Sequence, residues 1–143
     1  MEPAVSAFVQ GFPHFLLQGG VTLIMLILGV TVHVLMTPMK ELKLIREGNA
    51  SAGVGLAGIV MGLAIPMSAC LASSTSVYDL VIWGAVAILL QMIAFRVADL
   101  ILRDLPGRIE KDEMGAAIVL VSVKLAAALV MAAALWAPFI VGV

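Results

Sequence analysis

The chain has 143 residues, 63% of them hydrophobic, a mean hydropathy of +1.18 and a formal net charge of −1. Water-soluble domains are near half apolar, so this composition excludes one and sets an integral membrane protein. The near-zero net charge gives no reason to expect nucleic acid as a partner.

Four apolar runs are long enough to cross a hydrocarbon core of about 30 Å. The first is predicted over residues 15–36 and stops at Thr37-Pro38. No Lys or Arg precedes it and no small-x-small cleavage site follows it, so it is expected to stay as a span rather than leave as a signal peptide. The second is predicted over 50–72, the third over 77–102 and the fourth over 114–138. Backbone polar groups must be satisfied inside lipid, and no two-residue alternation runs along these segments, so they are expected as helices rather than barrel strands. The expected fold is therefore an all-α membrane protein, a single domain of four transmembrane helices arranged as two repeated hairpins.

The connections carry the charge. Residues 37–49 hold Lys40, Lys43 and Arg46, and residues 103–113 hold Arg103, Arg108 and Lys111. The N-terminal tail, the turn at 73–76 and the C-terminus hold no Lys or Arg. The positive-inside rule then predicts both longer loops in the cytoplasm and both termini in the periplasm. Three helix starts have capping chemistry: Asn49 before the second span, Ser76 with Asp79 three residues on, and Asp112-Glu113 before the fourth, where carboxylates favour the positive helix end. Shifting the chain by 64 residues lays "LIREGNASAGVGL" (44–56) over "RIEKDEMGAAIVL" (108–120). Ile45 meets Ile109, Ala52 meets Ala116 and Leu56 meets Leu120. Two spans separate the copies, so the repeat is expected to be parallel, unless it reflects the shared composition of two apolar hairpins.

Inside the spans, "GVGLAG" (53–58) satisfies the dinucleotide-binding pattern but lacks its strand-turn-helix setting. It is better explained by packing. Gly55, Gly58, Gly62 and Pro66 fall three or four residues apart on one helix face, and Gly58 with Gly62 forms G-x-x-x-G, which lets a second backbone approach closely. That second helix is expected either in the same chain or in another copy. Pro66 should bend the second span, with Ser68 available for a freed carbonyl. Asn49-Ala50-Ser51 reads as a helix cap rather than a glycosylation site. Cys70 stands alone in an apolar run and reads as a small buried hydrophobe. His14 and His33 are far apart, and no metal-spaced cluster or nucleophile-base arrangement stands out, so no cofactor, metal or enzymatic activity is expected.

The exceptional residue is Lys124, about 15 Å past the start of the fourth span and so near the midplane. Arg96 and Asp99 lie on one face of the third helix, with Gln91 deeper. Side chains tilt toward helix N-termini, so Lys124, Arg96 and Asp99 lean toward a common depth. The expectation is an ion pair between Asp99 and Lys124 with Arg96 close by; the alternative is a lysine snorkelling to the interface.

These residues resemble a family catalogued as domain of unknown function 350, small bacterial inner-membrane proteins. The resemblance rests on Thr37-Pro38, Glu41, Leu44-Ile45 and the run Gly48-Asn49-Ala50-Ser51-Ala52. It continues through Gly58, Gly62, Ile65-Pro66, Ser68, Trp83-Gly84 and Gln91, and reaches from the first span to the last. It implies four spans and a bacterial inner membrane, and it implies no activity. The second half departs more, with Glu113 where the first half has Asn49. The functional expectation is a non-enzymatic inner-membrane protein that forms homo-oligomers and docks a partner through its cytoplasmic loops. The alternative is a small channel or transporter subunit for protons or small ions, using Lys124, Asp99 and Arg96.

Overall fold

The computed structural model describes residues 2–141, with side chains described for 4–136; the chain ends, expected in the periplasm, lie partly outside these residues. Helices follow in the order α1 (Glu2–Met36), α2 (Glu41–Arg46), α3 (Ala50–Ser73), α4 (Val77–Leu102), α5 (Leu105–Glu110) and α6 (Met114–Val141). Four of them, α1, α3, α4 and α6, are long and apolar enough to cross a membrane. No strand occurs among the described residues.

Helix α1 starts well before the first expected span, and α6 runs to Val141, past the expected 138. The first of these begins at Glu2 and runs through Pro13, so Gly11 and Pro13 do not break it. The expected loops also differ, because each folds a one-and-a-half-turn helix, α2 and α5, against the ends of the spans. Four buried side chains of this end, Leu105, Ile109, Ala52 and Leu120, join Phe95 in one apolar cluster that seats both short helices. We call this end of the bundle the loop side, and the end holding the α3–α4 turn the turn side.

Helix α3 is the central element. Its buried positions include Gly55, Gly58, Gly62 and Pro66, as the glycine spacing requires. The facing helix is α6 of the same chain. A Cβ at Gly58 would meet Val121 Cγ2 at 2.6 Å and Val121 Cα at 3.1 Å, and one at Gly55 would meet Leu120 at 3.7 Å. The G-x-x-x-G face is thus covered internally and offers no surface to a second copy, which corrects one of the two partners expected for it. The helix runs without interruption past Pro66. The Ser68 hydroxyl donates to the Ile65 carbonyl at 2.7 Å, rather than to residue 62, whose carbonyl the proline leaves without its usual donor.

The caps show a cross-connection. Asn49 Oδ1 accepts from the Ala52 amide at 2.7 Å, as its position before α3 predicts. Its Nδ2 reaches the other half of the chain and donates to the Ile109 carbonyl at 2.8 Å and the Glu110 carbonyl at 3.2 Å, at the end of α5. In return Asp112 does not serve α6 as expected. Its carboxylate accepts from the Ser51 amide in the first turn of α3, at 2.8 Å. The bonds to Ser51 outweigh desolvation and hold the Asp112 carboxyl below the usual range. The Glu113 carboxylate pairs with Arg108 instead of turning to the first amides of α6. Ser76 caps α4 through the Asp79 amide at 3.2 Å, and the Asp79 carboxylate accepts from the Ser76 hydroxyl at 2.9 Å. At the 64-residue offset, Gly48 and Asp112 both adopt positive φ, 90° and 59°.

Replacing Gly58 by Ala or Val is expected to separate α3 from α6 and cost about 1–3 kcal/mol, the usual penalty for overpacking. Gly53, whose added Cβ meets nothing within 4 Å, should accept Ala without loss. Thermal unfolding of the two variants in detergent checks the contrast. Asp112→Ala should lower the melting temperature at neutral pH. The wild-type advantage, resting on a depressed carboxyl, should vanish as pH falls below about 4.

Candidate functional site

The inward stripe of α6 runs Ala117, Leu120, Lys124 and Ala128, all with no exposed surface. Their spacing of three, four and four residues places them on one helix face. Lys124 therefore points into the bundle. Opposite it, the buried face of α4 includes Gly84, Ala87, Gln91, Ala94 and Ala98. The two polar residues meet where the small residues let α3, α4 and α6 converge. A Cβ at Gly62 would lie 3.0 Å from Gln91 Oε1 and 3.3 Å from Lys124 Cβ.

Lys124 and Gln91 grip each other's helices. Lys124 Nζ donates to the Gln91 carbonyl at 3.2 Å, and Gln91 Nε2 donates to the Lys124 carbonyl at 3.2 Å. Gln91 lies about 16 Å from the loop-side end of α4 and Lys124 about 15 Å from that of α6, so the ammonium stays at mid-depth and does not snorkel.

The expected ion pair is absent among the described residues. Asp99 Oδ1 accepts instead from the Leu105 amide at 2.9 Å, closing the corner between α4 and α5. That corner needs the help, because Arg103 and Asp104 both sit at positive φ, which costs free energy for residues other than glycine. Arg96 is exposed on the outer face of α4. Of the four predicted polar residues the fold brings together Lys124 and Gln91 and keeps Asp99 and Arg96 apart from them. The tilt of Asp99 along α4 is a poor guide to its carboxylate, which the Leu105 amide captures locally.

Three residues that sequence reasoning left without a role in the core complete the polar interior. His33, Thr37 and Glu41 are all buried. His33 lies in the last turn of α1, Thr37 just past its end and Glu41 at the start of α2, so no single helix face joins them, and Thr37 and Glu41 stood out only through the family resemblance. His33 packs edge-on against the Phe95 ring at 5.3 Å, and its Nε2 has no hydrogen-bond partner. The Thr37 hydroxyl donates to the His33 carbonyl at 2.7 Å. The Glu41 carboxylate lies alongside that hydroxyl, yet neither of its oxygens makes a hydrogen bond of normal geometry. Burial pushes the Glu41 carboxyl above the usual range, with its own backbone amide and Thr37 opposing.

A lysine held inside four apolar spans, tied to backbone rather than to a carboxylate, defines a polytopic helical membrane protein with a sealed polar core. The chain matches, over residues 7–135, the family described as Domain of Unknown Function (DUF350), and it belongs to that family. It is also 30% identical over 71 residues to UPF0719 inner membrane protein YjfL of Escherichia coli K12, and equally to the protein of that name from strain O157:H7. The matched segment is 50% of this chain and 54% of each relative, so the chain spans about half the length of the curated relatives it matches. No solved structure matches it significantly.

Two outcomes follow from the site's electrostatics. A buried charge without a counter-ion is costly, about 3 kcal/mol at the helix centre on insertion scales. Lys124→Met keeps the volume and removes the charge, and should raise stability by about 1 kcal/mol or more in detergent unfolding. Glu41→Gln should raise the melting temperature at pH 7. A carboxyl with a raised pKa stabilises the fold fully below pH 4.5 and loses that contribution as pH climbs. The gain from the variant should therefore disappear in acid.

Proposed function

We propose that the protein is a non-enzymatic, multi-pass inner-membrane protein with both termini periplasmic, a scaffold that forms homo-oligomers and presents α2 and α5 to a cytoplasmic partner. The observation that carries this reading is the sealing of Lys124, which has no exposed surface and is held by Gln91. A conducting protomer would need its intramembrane charge to face water. The orientation is supported by the six Lys and Arg residues confined to the two loop-side connections. The inner membrane is supported by the name of the Escherichia coli relative.

The loop side suits a docking role because its connections are folded rather than extended. Lys40, Lys43, Arg46 and Glu47 are exposed around α2, and Arg103, Glu110 and Lys111 around α5. These charges of both signs sit on short helices locked to the spans by the Asn49 and Asp112 exchange. For self-association the favoured element is α1, the least buried span. On it Phe8, Phe12 and Phe15 stack along one exposed edge, with ring centroids 5.0 and 6.5 Å apart. The channel alternative required Lys124, Asp99 and Arg96 along one path, and the engagement of Asp99 by the Leu105 amide favours the scaffold over it.

The deciding experiment is ion and proton flux into liposomes carrying purified wild type beside Lys124→Met. The expected result is flux no greater than in empty liposomes for both. Flux present in wild type and abolished in a folded variant would replace the scaffold with a conducting protein.

A further inference from the structure

We propose that the groove between α4 and α6 on the turn side holds one phospholipid with a primary ammonium headgroup, its ammonium on Asp79 and an acyl chain along the groove. This lies beyond the scaffold reading and requires only that the four helices span a bilayer.

The groove has a volume of about 420 Å³. Sites for small molecules begin at about 300 Å³. Its floor includes Ala87, which is buried, and its walls include Trp83, Val86 and Leu90 of α4 and Met131 and Leu135 of α6. Trp83, Val86 and Leu90 are exposed, so the groove opens sideways, toward lipid. Only the mouth is polar. It is formed by Ser73, Ser74 and Thr75 at the α3–α4 turn and by Asp79 in the first turn of α4.

These proportions match one leaflet. The eleven residues from Asp79 to Leu90 cover about 16 Å of helix. Half of a hydrocarbon core is about 15 Å. The carboxylate therefore sits at headgroup depth and Leu90 near the midplane. Trp83, one turn in from Asp79, lies in the interfacial belt where tryptophan is favoured. A water-soluble ligand would have to leave water to fill such a groove, whereas a lipid is already beside it. An acyl chain in a groove touches protein on several sides rather than one, and each contact adds dispersion attraction.

The mouth selects the headgroup. Asp79 Oδ2 accepts from the Thr75 hydroxyl at 3.2 Å and the Ser76 hydroxyl at 2.9 Å, which fixes the carboxylate. Its Oδ1 accepts nothing among the described residues and stays open to a donor. The turn at 73–76 and both chain ends carry no Lys or Arg, so no such side chain on this side answers the charge. The Ser74 hydroxyl and the Trp83 indole N–H, both at the groove, make no hydrogen bond among the described residues, and each can donate. A charged acceptor beside two donors is complementary to a head that carries an ammonium next to a phosphate. A phosphoglycerol head would set its negative charge near the carboxylate with no ammonium to offset it. Phenylalanine rings, such as those along α1 of a second copy, could fill the walls but bring no hydrogen-bond donor to Asp79.

The test is native mass spectrometry of the purified full chain, titrated in detergent with phosphatidylethanolamine, phosphatidylcholine or phosphatidylglycerol of identical acyl chains. Wild type is expected to retain one phosphatidylethanolamine at a concentration about tenfold lower than either other lipid needs, the difference made by one charge-assisted hydrogen bond. Asp79→Asn, which keeps an acceptor for the Thr75 and Ser76 hydroxyls, should abolish that preference. Ala134→Phe, at an exposed position lining the groove, should weaken retention of all three lipids by about tenfold or more. Leu35→Ala, exposed at the other end of the bundle, should change nothing. Circular dichroism and thermal unfolding establish that the variants fold. If Asp79→Asn does not, the wild-type lipid comparison and Ala134→Phe decide the matter. Equal retention of the three lipids by wild type would overturn the proposal. So would undiminished retention by Ala134→Phe, an unchanged preference in Asp79→Asn, or a dimer that retains no lipid because a second copy fills the groove.

Discussion

The approach of α3 to α6 at Gly58 governs the rest of the bundle. Lipid chains are as apolar as leucine, so helices in a bilayer gain little from hiding hydrophobic surface and depend on close packing and internal polar contacts. At Gly58 the fit leaves no room for a methyl group. Bringing the two backbones this near draws the start of α3 within reach of Asp112. One turn deeper, at Gly62, the same proximity sets Gln91 and Lys124 against each other. A wider spacing would leave the lysine facing a gap, and a buried ammonium without an acceptor is far more costly than one bonded to a carbonyl.

Much of this architecture is legible in the residues. Apolar run lengths give the four spans, and glycine spacing gives the packed face of α3. Asn49 and Ser76 announce the helix starts they cap. Other parts escape for identifiable reasons. Six-residue helices such as α2 and α5 are too short to show periodicity, and they form because the span ends offer an apolar seat to Leu44 and Ile45 of α2 and to Leu105 and Ile109 of α5. Pro13 looks like a boundary, yet α1 runs through it, as membrane helices tolerate proline where other groups satisfy the freed backbone.

The site is legible only in part. Lys124 is conspicuous, and its inward direction follows from the small and apolar residues that share its stripe. Its partner is not, because charge complementarity points to Asp99, whereas the fold answers with the carbonyl of Gln91. Depth and tilt favour a pairing with Asp99, but the Leu105 amide, only six residues away, captures that carboxylate. His33 shows the reverse error. As a metal ligand it has no companions, but the turn between α1 and α2 buries Thr37 and Glu41 as it does His33. The polar interior is consequently drawn from residues of several helices, His33 of α1, Gln91 of α4 and Lys124 of α6, that lie far apart in the chain.

The exchange of caps between the halves bears on how the protein is made. Asn49 is synthesised with the first half but completes α5, and Asp112 arrives with the second half but completes α3. When α3 first enters the bilayer, the carboxylate that will hold its leading amides has not yet been translated. The Ser51 amide gains this acceptor only some sixty residues later, when Asp112 is made. The two halves therefore do not mature one after the other: the first is finished only by the arrival of the second.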